Sequence, residues 1–412
     1  MSWWENSAVR LAAGRVLVAG RPAEAWARKM GTPLFVYSRA RLIENYRRLR
    51  NLFDETVHED VRIGYAMKAN PYPPLLEALR REGAWIDAVS PGEVDRARRA
   101  GFPGGQILFT GTSGSEVDFR RVLARPEVVL TIDAVEQIAV MRAALGPGRR
   151  RATPRVSVRW NPGIGSGFNP KVITAGARSS DGTPIKFGVE EGRVLDAYEA
   201  AASAGFLPVG LHQHLGSGWR EDDYMSVAQA VDRMIDMAGQ IRRAGFPLEF
   251  LDFGGGFGPR YAKDQKLFPV GRYARLLGRS LRRAGLGLRS IVVEPGKYLA
   301  ADAGVLLLRV NYVKRSYGNL FACVDGGTFN TLSRPAVYGA VHEVINATRP
   351  SGRRAPVTVA GHLCETGDVF AKDAFMTVPE AGDLLAVLCA GAYGRSMASE
   401  FNLRPIAREI MA

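Results

Sequence analysis

Between about residue 60 and residue 296 the chain repeats one cadence: a short apolar run, a small or polar residue, then an amphipathic stretch that often closes at glycine. The apolar runs fall at 62–67, 85–89, 107–109, 128–132, 155–160, 209–213, 249–253 and 290–293, eight in all. The stretches between them have helical spacing. In PPLLEALRREG the residues Leu75, Leu76 and Leu79 share one face and Gly83 follows as a C-terminal stop, and PGEVDRARRAG ends in the same way at Gly101. Strands that alternate with helices pair in parallel. Eight such units over roughly 235 residues match a closed (β/α)8 barrel, whereas an open doubly wound sheet more often stops at about five to seven strands.

Beyond Glu294 the pattern changes to β-like runs, AGVLLLRVNYVKRS, NLFACVDGG, APVTVAGHLCETGD and AGDLLAVLCAGAYG, with turns between them. RVLVAG and TPLFVYS near the start also read as strands and precede the barrel. The expected fold is therefore α/β: a (β/α)8 TIM-type barrel over 36–294, followed by a mostly β, sandwich- or barrel-like domain built from 1–35 plus 295–412.

Composition adds exclusions. With 46% hydrophobic and 23% charged residues, the 412-residue chain is an ordinary globular sequence. Its start lacks a secretory pattern and no apolar run is long enough to span a bilayer, so a cytoplasmic protein with no membrane partner is expected. Cys323, Cys364 and Cys389 show no CxxC spacing, which argues against disulfides and a metal site. The formal charge of +14 comes from arginines scattered over many segments rather than one basic tract, so no nucleic-acid partner is expected.

In a barrel, chemistry sits at the C-terminal ends of the strands. The residues that follow the apolar runs are Lys68, Asp87 with Ser90, Thr110, Asp133, Asn161, His214 with Ser217, Gly254, Gly255 and Gly256, and Glu294. Singly, each has an ordinary reading. A lysine at a strand end is more often solvated, a lone histidine is more often a satisfied core residue, a glycine run is more often a tight turn, and a carboxylate is as often half of a salt bridge. Together they describe one cofactor, pyridoxal 5'-phosphate. Lys68 supplies an imine, Glu294 faces a pyridine nitrogen, His214 offers a flat ring for stacking, and Ser217 with Gly254, Gly255 and Gly256 meet a phosphate. No Walker-type GKS or GKT, HExxH or EF-hand loop is present, and GPGRR at 146–150 reads as a polar turn.

In family order, YAMKAN, IDAVSPGE, the NPG turn, KFGV, HQHLGSG, DFGGGFG, EPGKYL, SRPAVYGAVHEV, CETGD and GAYGRSMAS resemble the fold-type III pyridoxal-phosphate decarboxylases, and within them the diaminopimelate decarboxylases. The resemblance covers nearly the whole chain. It implies a cofactor-binding barrel, a β domain that completes the active site at the interface of a homodimer, and a carboxy-lyase that releases carbon dioxide from an amino acid. By resemblance, Lys68, Asp87, His214, Ser217, Gly254, Gly255, Gly256, Glu294 and Tyr393 hold the cofactor. Lys297, Arg334, Tyr338, Glu365 and Tyr393 hold the substrate, and Cys364 stands near the site of protonation. Cys364 and Glu365 would enter from the other subunit.

Three positions depart from the family pattern: Lys297 stands where arginine is usual, Gly218 where glutamine is frequent, and Glu400 where asparagine is common. Lysine keeps the charge but lacks the planar fork that suits a carboxylate. The implied reaction is meso-diaminopimelate to L-lysine and carbon dioxide. Alternatives are a related decarboxylase for another amino acid or a polyamine, siderophore or natural-product intermediate, a racemase on the same barrel, and a non-catalytic regulator of the same fold.

Overall fold

The structure is a computed structural model that describes residues 2–57, 59–146 and 152–412. Most of the GPGRR turn lies outside the described residues. The chain divides into two compact units, one of Tyr46–Gly258 with Leu267–Gly296, the other of Met1–Asn45, Pro259–Lys266 and Lys297–Ala412.

The first unit is a closed parallel barrel. Its strands are β1 (Asp60–Ala66), β2 (Trp85–Ala88), β3 (Ile107–Phe109), β4 (Val129–Ile132), β5 (Arg155–Asn161), β6 (Leu207–His212), β7 (Phe250–Asp252) and β8 (Ser290–Val293). Each pairs in parallel with its sequence neighbours, and β8 closes on β1 through Ser290 opposite Asp60. Each expected strand is present, with ends shifted by at most two residues. Leu108, Val129, Val209, Phe250 and Val292 form one buried cluster. Side chains from β3 and β4 can meet those from β6, β7 and β8 only through the interior, so the barrel is packed rather than hollow.

Local signals set the helix ends. Ser90 caps Pro91–Arg99 by accepting the Glu93 amide, and Ser115 with Asp118 forms a capping box at Glu116–Leu123. Gly83 and Gly101 take φ of +86° and +89°, the left-handed stops expected after the two quoted helices.

The second unit is built around the long strand Gly304–Ser316, which pairs antiparallel with Leu34–Tyr37, Asn319–Val324 and Leu384–Val387. Leu34–Tyr37 in turn pairs in parallel with Arg408–Met411, so the C-terminal strand joins a strand that precedes the barrel. Val16, Val18, Trp26, Leu34, Val36 and Leu307 share its core. Within this unit Arg41 Nη2 meets Asp302 Oδ2 at 2.6 Å, and Asn45 Nδ2 donates to the other oxygen of the same carboxylate at 2.6 Å.

Helix Val270–Ala284 lies so close to the barrel's own chain that a Cβ at Gly278 would collide with the backbone oxygen of Thr56. Gly239, inside helix Tyr224–Arg243, meets only the tip of Arg243, at 3.4 Å. Gly278→Ala is expected to destabilise the barrel by about 1–3 kcal/mol through overpacking, while Gly239→Ala stabilises it by up to about 1 kcal/mol through helix propensity. Opposite shifts in the thermal unfolding midpoint check both, and a neutral Gly278→Ala would show that the helix can retreat.

Candidate active site

Lys68 stands in the single turn Met67–Ala69 that ends β1, so its side chain issues from the barrel's C-terminal rim. Its Nζ is 3.2 Å from Asp87 Oδ2 at the end of β2. Asp87 is fully buried and also accepts the Thr110 hydroxyl from the next strand end. Burial and then the Glu294 charge push the Asp87 pKa up, and Lys68 opposes them.

Glu294 follows directly on β8 and is buried. Its Oε2 lies 3.3 Å from His212 Nε2, the last residue of β6, while its Oε1 is buried with no hydrogen-bond partner among the described residues. Burial alone would raise this carboxyl. The charge and hydrogen bond of His212, followed by the charges of Lys68 and His214, outweigh it and hold the pKa at about 2. Asp252, ending β7, accepts the Gly254 amide at 2.9 Å, and burial followed by the Glu294 charge pushes it well above the carboxylate range. The two adjacent acids are shifted in opposite directions, Glu294 down and Asp252 up.

Arg159 on β5 completes this interior. It is buried 4.4 Å from the Phe187 ring and 3.8 Å from Asp133. Burial lowers its pKa, and the carboxylates of Asp133, Glu294, Asp87 and Asp252 oppose that shift.

Gly254, Gly255 and Gly256 pass between β7 and the neighbouring strand ends with no room for side chains. A Cβ at Gly255 would strike the Glu294 carbonyl, one at Gly254 would come within 2.7 Å of His214 Nδ1, and one at Gly256 would enter the Trp219 ring. Two of the three amides are already committed: Gly254 N–H to Asp252, and Gly255 N–H to His214 Nδ1 at 3.1 Å. The second bond makes Nδ1 an acceptor, so the neutral His214 ring carries its proton on Nε2. Burial and then Lys68 keep this ring neutral by lowering its pKa well below the usual value. The Gly256 amide and the Ser217 hydroxyl donate to no described residue. They are the donors left for an anion, together with whatever the loop's curvature exposes.

Gly218 follows Ser217 with φ of +79°, and a Cβ there would collide with the Phe168 ring. Phe168 comes from the loop after β5 and is held by its amide to the Ser217 carbonyl at 3.1 Å. The missing glutamine at 218 is thus matched by an aromatic ring in the space a side chain would need.

The β unit gathers a second group. Lys297 and Arg334 are both buried, 5.7 and 5.9 Å from the ring of Tyr393, and Arg334 also lies 5.4 Å from the Tyr261 ring. Burial, then the Arg334 charge, pushes the Lys297 pKa well below the ordinary lysine value. Tyr338 is half-buried one turn along helix Arg334–Tyr338. Cys364 and Glu365 are exposed on a turn fixed by the Cys364 amide donating to Asn402 Oδ1 at 2.9 Å, and Glu400 is exposed.

The strand-end reading finds Lys68, Asp87, His214, Ser217, the glycines and Glu294 on one rim, but it misses His212, Asp252, Arg159 and Tyr261. A signal existed for Asp252 and Arg159, which are charges inside apolar strands and require partners. For His212 the only signal is its place two residues before His214.

Residues 39–301 match the family described as pyridoxal-dependent decarboxylase, pyridoxal binding domain. Over 404 residues the chain is 38% identical to a diaminopimelate decarboxylase of Methanothermobacter thermautotrophicus, covering 97% of this chain and 90% of that one. The diaminopimelate decarboxylase of Zymomonas mobilis is 34% identical over 97% of this chain and 91% of its own length. Among solved structures, the diaminopimelate decarboxylase of Helicobacter pylori in complex with L-lysine superposes with a TM-score of 0.85 at 30% identity, covering 94% of this chain and 93% of that one. The chain belongs to the pyridoxal-dependent decarboxylases, and its Lys68, Asp87 and Glu294 stand on the barrel that this family uses to bind pyridoxal.

Proposed function

We propose that this protein is a pyridoxal 5'-phosphate-dependent carboxy-lyase that converts meso-diaminopimelate to L-lysine and carbon dioxide. The observation that carries the reading is the rim on which an amine, Lys68, and a buried carboxylate, Glu294, lie within reach of one another's charge, with one Glu294 oxygen accepting from no donor among the described residues. A buried carboxylate oxygen without a donor costs about 1–3 kcal/mol or more, and a protonated ring nitrogen would remove that cost. The relatives named above, one of them holding L-lysine, support the substrate.

The cofactor, when bound, supplies a pyridinium ring that takes up the electron pair left by departing carbon dioxide. The chain's residues do the rest. Lys68 would hold the cofactor covalently, and Asp87, 3.2 Å from its Nζ, would orient the amine whenever it is free. His214, its tautomer set by Gly255, would supply a flat ring to the cofactor. Ser217, the glycine loop and Tyr393 would hold the phosphate. Lys297, Arg334 and Tyr338 bind the distal carboxylate, and Glu365 binds the distal ammonium. Cys364 delivers a proton to the carbon that lost its carboxylate.

Cys364 and Glu365 are exposed here, as residues that serve the barrel of a second copy in a homodimer would be. The functional division is a cofactor barrel over 36–294 and a β domain of 1–35 plus 295–412. No described helix is long and apolar enough to cross a membrane. A second reading, decarboxylation of a different amino acid, is favoured by one observation: Lys297 lacks the bidentate fork of arginine.

Lys68→Ala is expected to lose the visible absorbance of lysine-bound cofactor and more than about a thousandfold in carbon dioxide release, the scale of a lost covalent group. Retention of that band would remove Lys68 from its role. Offered a panel of amino acids, the enzyme should release carbon dioxide from meso-diaminopimelate and not from lysine or ornithine, and turnover of another acid alone would select the second reading. Arg334→Leu should lower kcat/KM for meso-diaminopimelate by roughly 100-fold, corresponding to about 3 kcal/mol for a charge-assisted pair, with cofactor content unchanged.

A further inference from the structure

Glu294, His212 and Asp252 form a closed buried group: one ligand-type atom from each lies within 4.8 Å of the others, and the three residues are at most 4% exposed. An ionised carboxylate without water must take its stabilisation from fixed donors. The charged and titratable groups around it are Lys68 after β1, Asp87 on β2, Arg159 on β5, His212 on β6, His214 beyond it, and Asp252 on β7. Of these, His212 and Asp252 hydrogen-bond Glu294, the His212 bond running 3.3 Å from Nε2 to Oε2. A carboxylate cannot donate, so Nε2 must carry the proton.

The other groups are less constant partners. Lys68 changes its bonding at each turnover in the function proposed above. Arg159 is held by Asp133 and Phe187. Asp252 competes for the same proton that Glu294 must not keep. His212 is fixed on a strand and holds one Glu294 oxygen by a ring N–H, and Asp252 on the adjacent strand shares a side-chain hydrogen bond with the same carboxylate but is itself an acid.

We propose that His212 is a positioning residue that pins Glu294 through Oε2, so that the carboxylate stays ionised with Oε1 directed to the protonated nitrogen of the cofactor ring. The protonation of that ring, and hence its capacity as an electron sink, depends on an imidazole two residues away from the one that stacks on it. Without the Nε2–H donor, burial and Asp252 favour a protonated Glu294. The ring nitrogen then loses its counter-charge and its proton.

This inference rests on the cofactor reading, and the test separates the two. Holoenzyme is prepared with cofactor labelled with 15N in the ring, as wild type, His212→Leu, His212→Asn and Asp252→Asn. The nitrogen shift is followed from about pH 6 to about pH 9 together with cofactor content and steady-state kinetics. Wild type should show the pyridinium shift throughout. His212→Leu should bind cofactor at Lys68 yet show the unprotonated pyridine shift in that window, with kcat reduced more than tenfold and KM changed less than threefold. His212→Asn, whose amide can still donate, should lie between them, and Asp252→Asn, which removes the competing acid, should keep the pyridinium. If His212→Leu does not fold, His212→Asn decides, because an unaltered nitrogen titration in it overturns the proposal. A pyridinium unchanged in both His212 variants likewise overturns it. Wild-type protein that takes up no cofactor would overturn the cofactor reading instead.

Discussion

Everything at the barrel's C-terminal rim answers to the negative charge on Glu294. A carboxylate removed from water costs several kcal/mol unless fixed partners replace the hydration. Here the partners come from strand ends all round the barrel: Lys68 from β1, Arg159 from β5 and His212 from β6. Two further acids, Asp87 and Asp252, are buried there as well, and burial followed by the Glu294 charge pushes both of their pKa values up. A closed sheet is what makes this possible, since only closure brings β1, β2, β7 and β8 into one mouth.

The glycine loop is a consequence of the same crowding. Its middle residue touches the Glu294 backbone, its first the His214 ring, and its last the Trp219 indole, each at a separation that excludes a Cβ. Two of its amides are consumed in ordering Asp252 and His214. The loop therefore does more than offer bare N–H groups to an anion. It fixes the tautomer of one side chain and the rotamer of another.

Much of this was legible in order along the chain, and the reason is topological. In a parallel barrel every strand's C-terminal end reaches one rim, so the residue after each apolar run is a candidate by position alone, which suffices for Lys68, His214 and Glu294. Which residues inside the strands point into the mouth depends on register and tilt, and these follow from closure and from the irregularity between Pro208 and Gly210 in β6. Asp252 announces itself as a charge inside an apolar strand, but its partnership with His212 and Glu294 follows only from β6, β7 and β8 lying side by side. Tyr261 was hidden for a different reason: its short segment, Pro259–Lys266, leaves the barrel sequence to join the β unit.

The departures from family pattern differ in physical kind. At Gly218 the change is absorbed locally, because the positive φ and the Phe168 ring leave no place for the absent side chain. At Lys297 the change is one of charge rather than space: burial and then the Arg334 guanidinium push the ammonium's pKa down, and both side chains lie near the Tyr393 ring. An arginine at 297 would yield less to the same pressure, because a guanidinium holds its proton far more tightly than an ammonium does. One departure is therefore settled by sterics in a glycine-lined turn, the other by the balance of burial and charge inside the β unit.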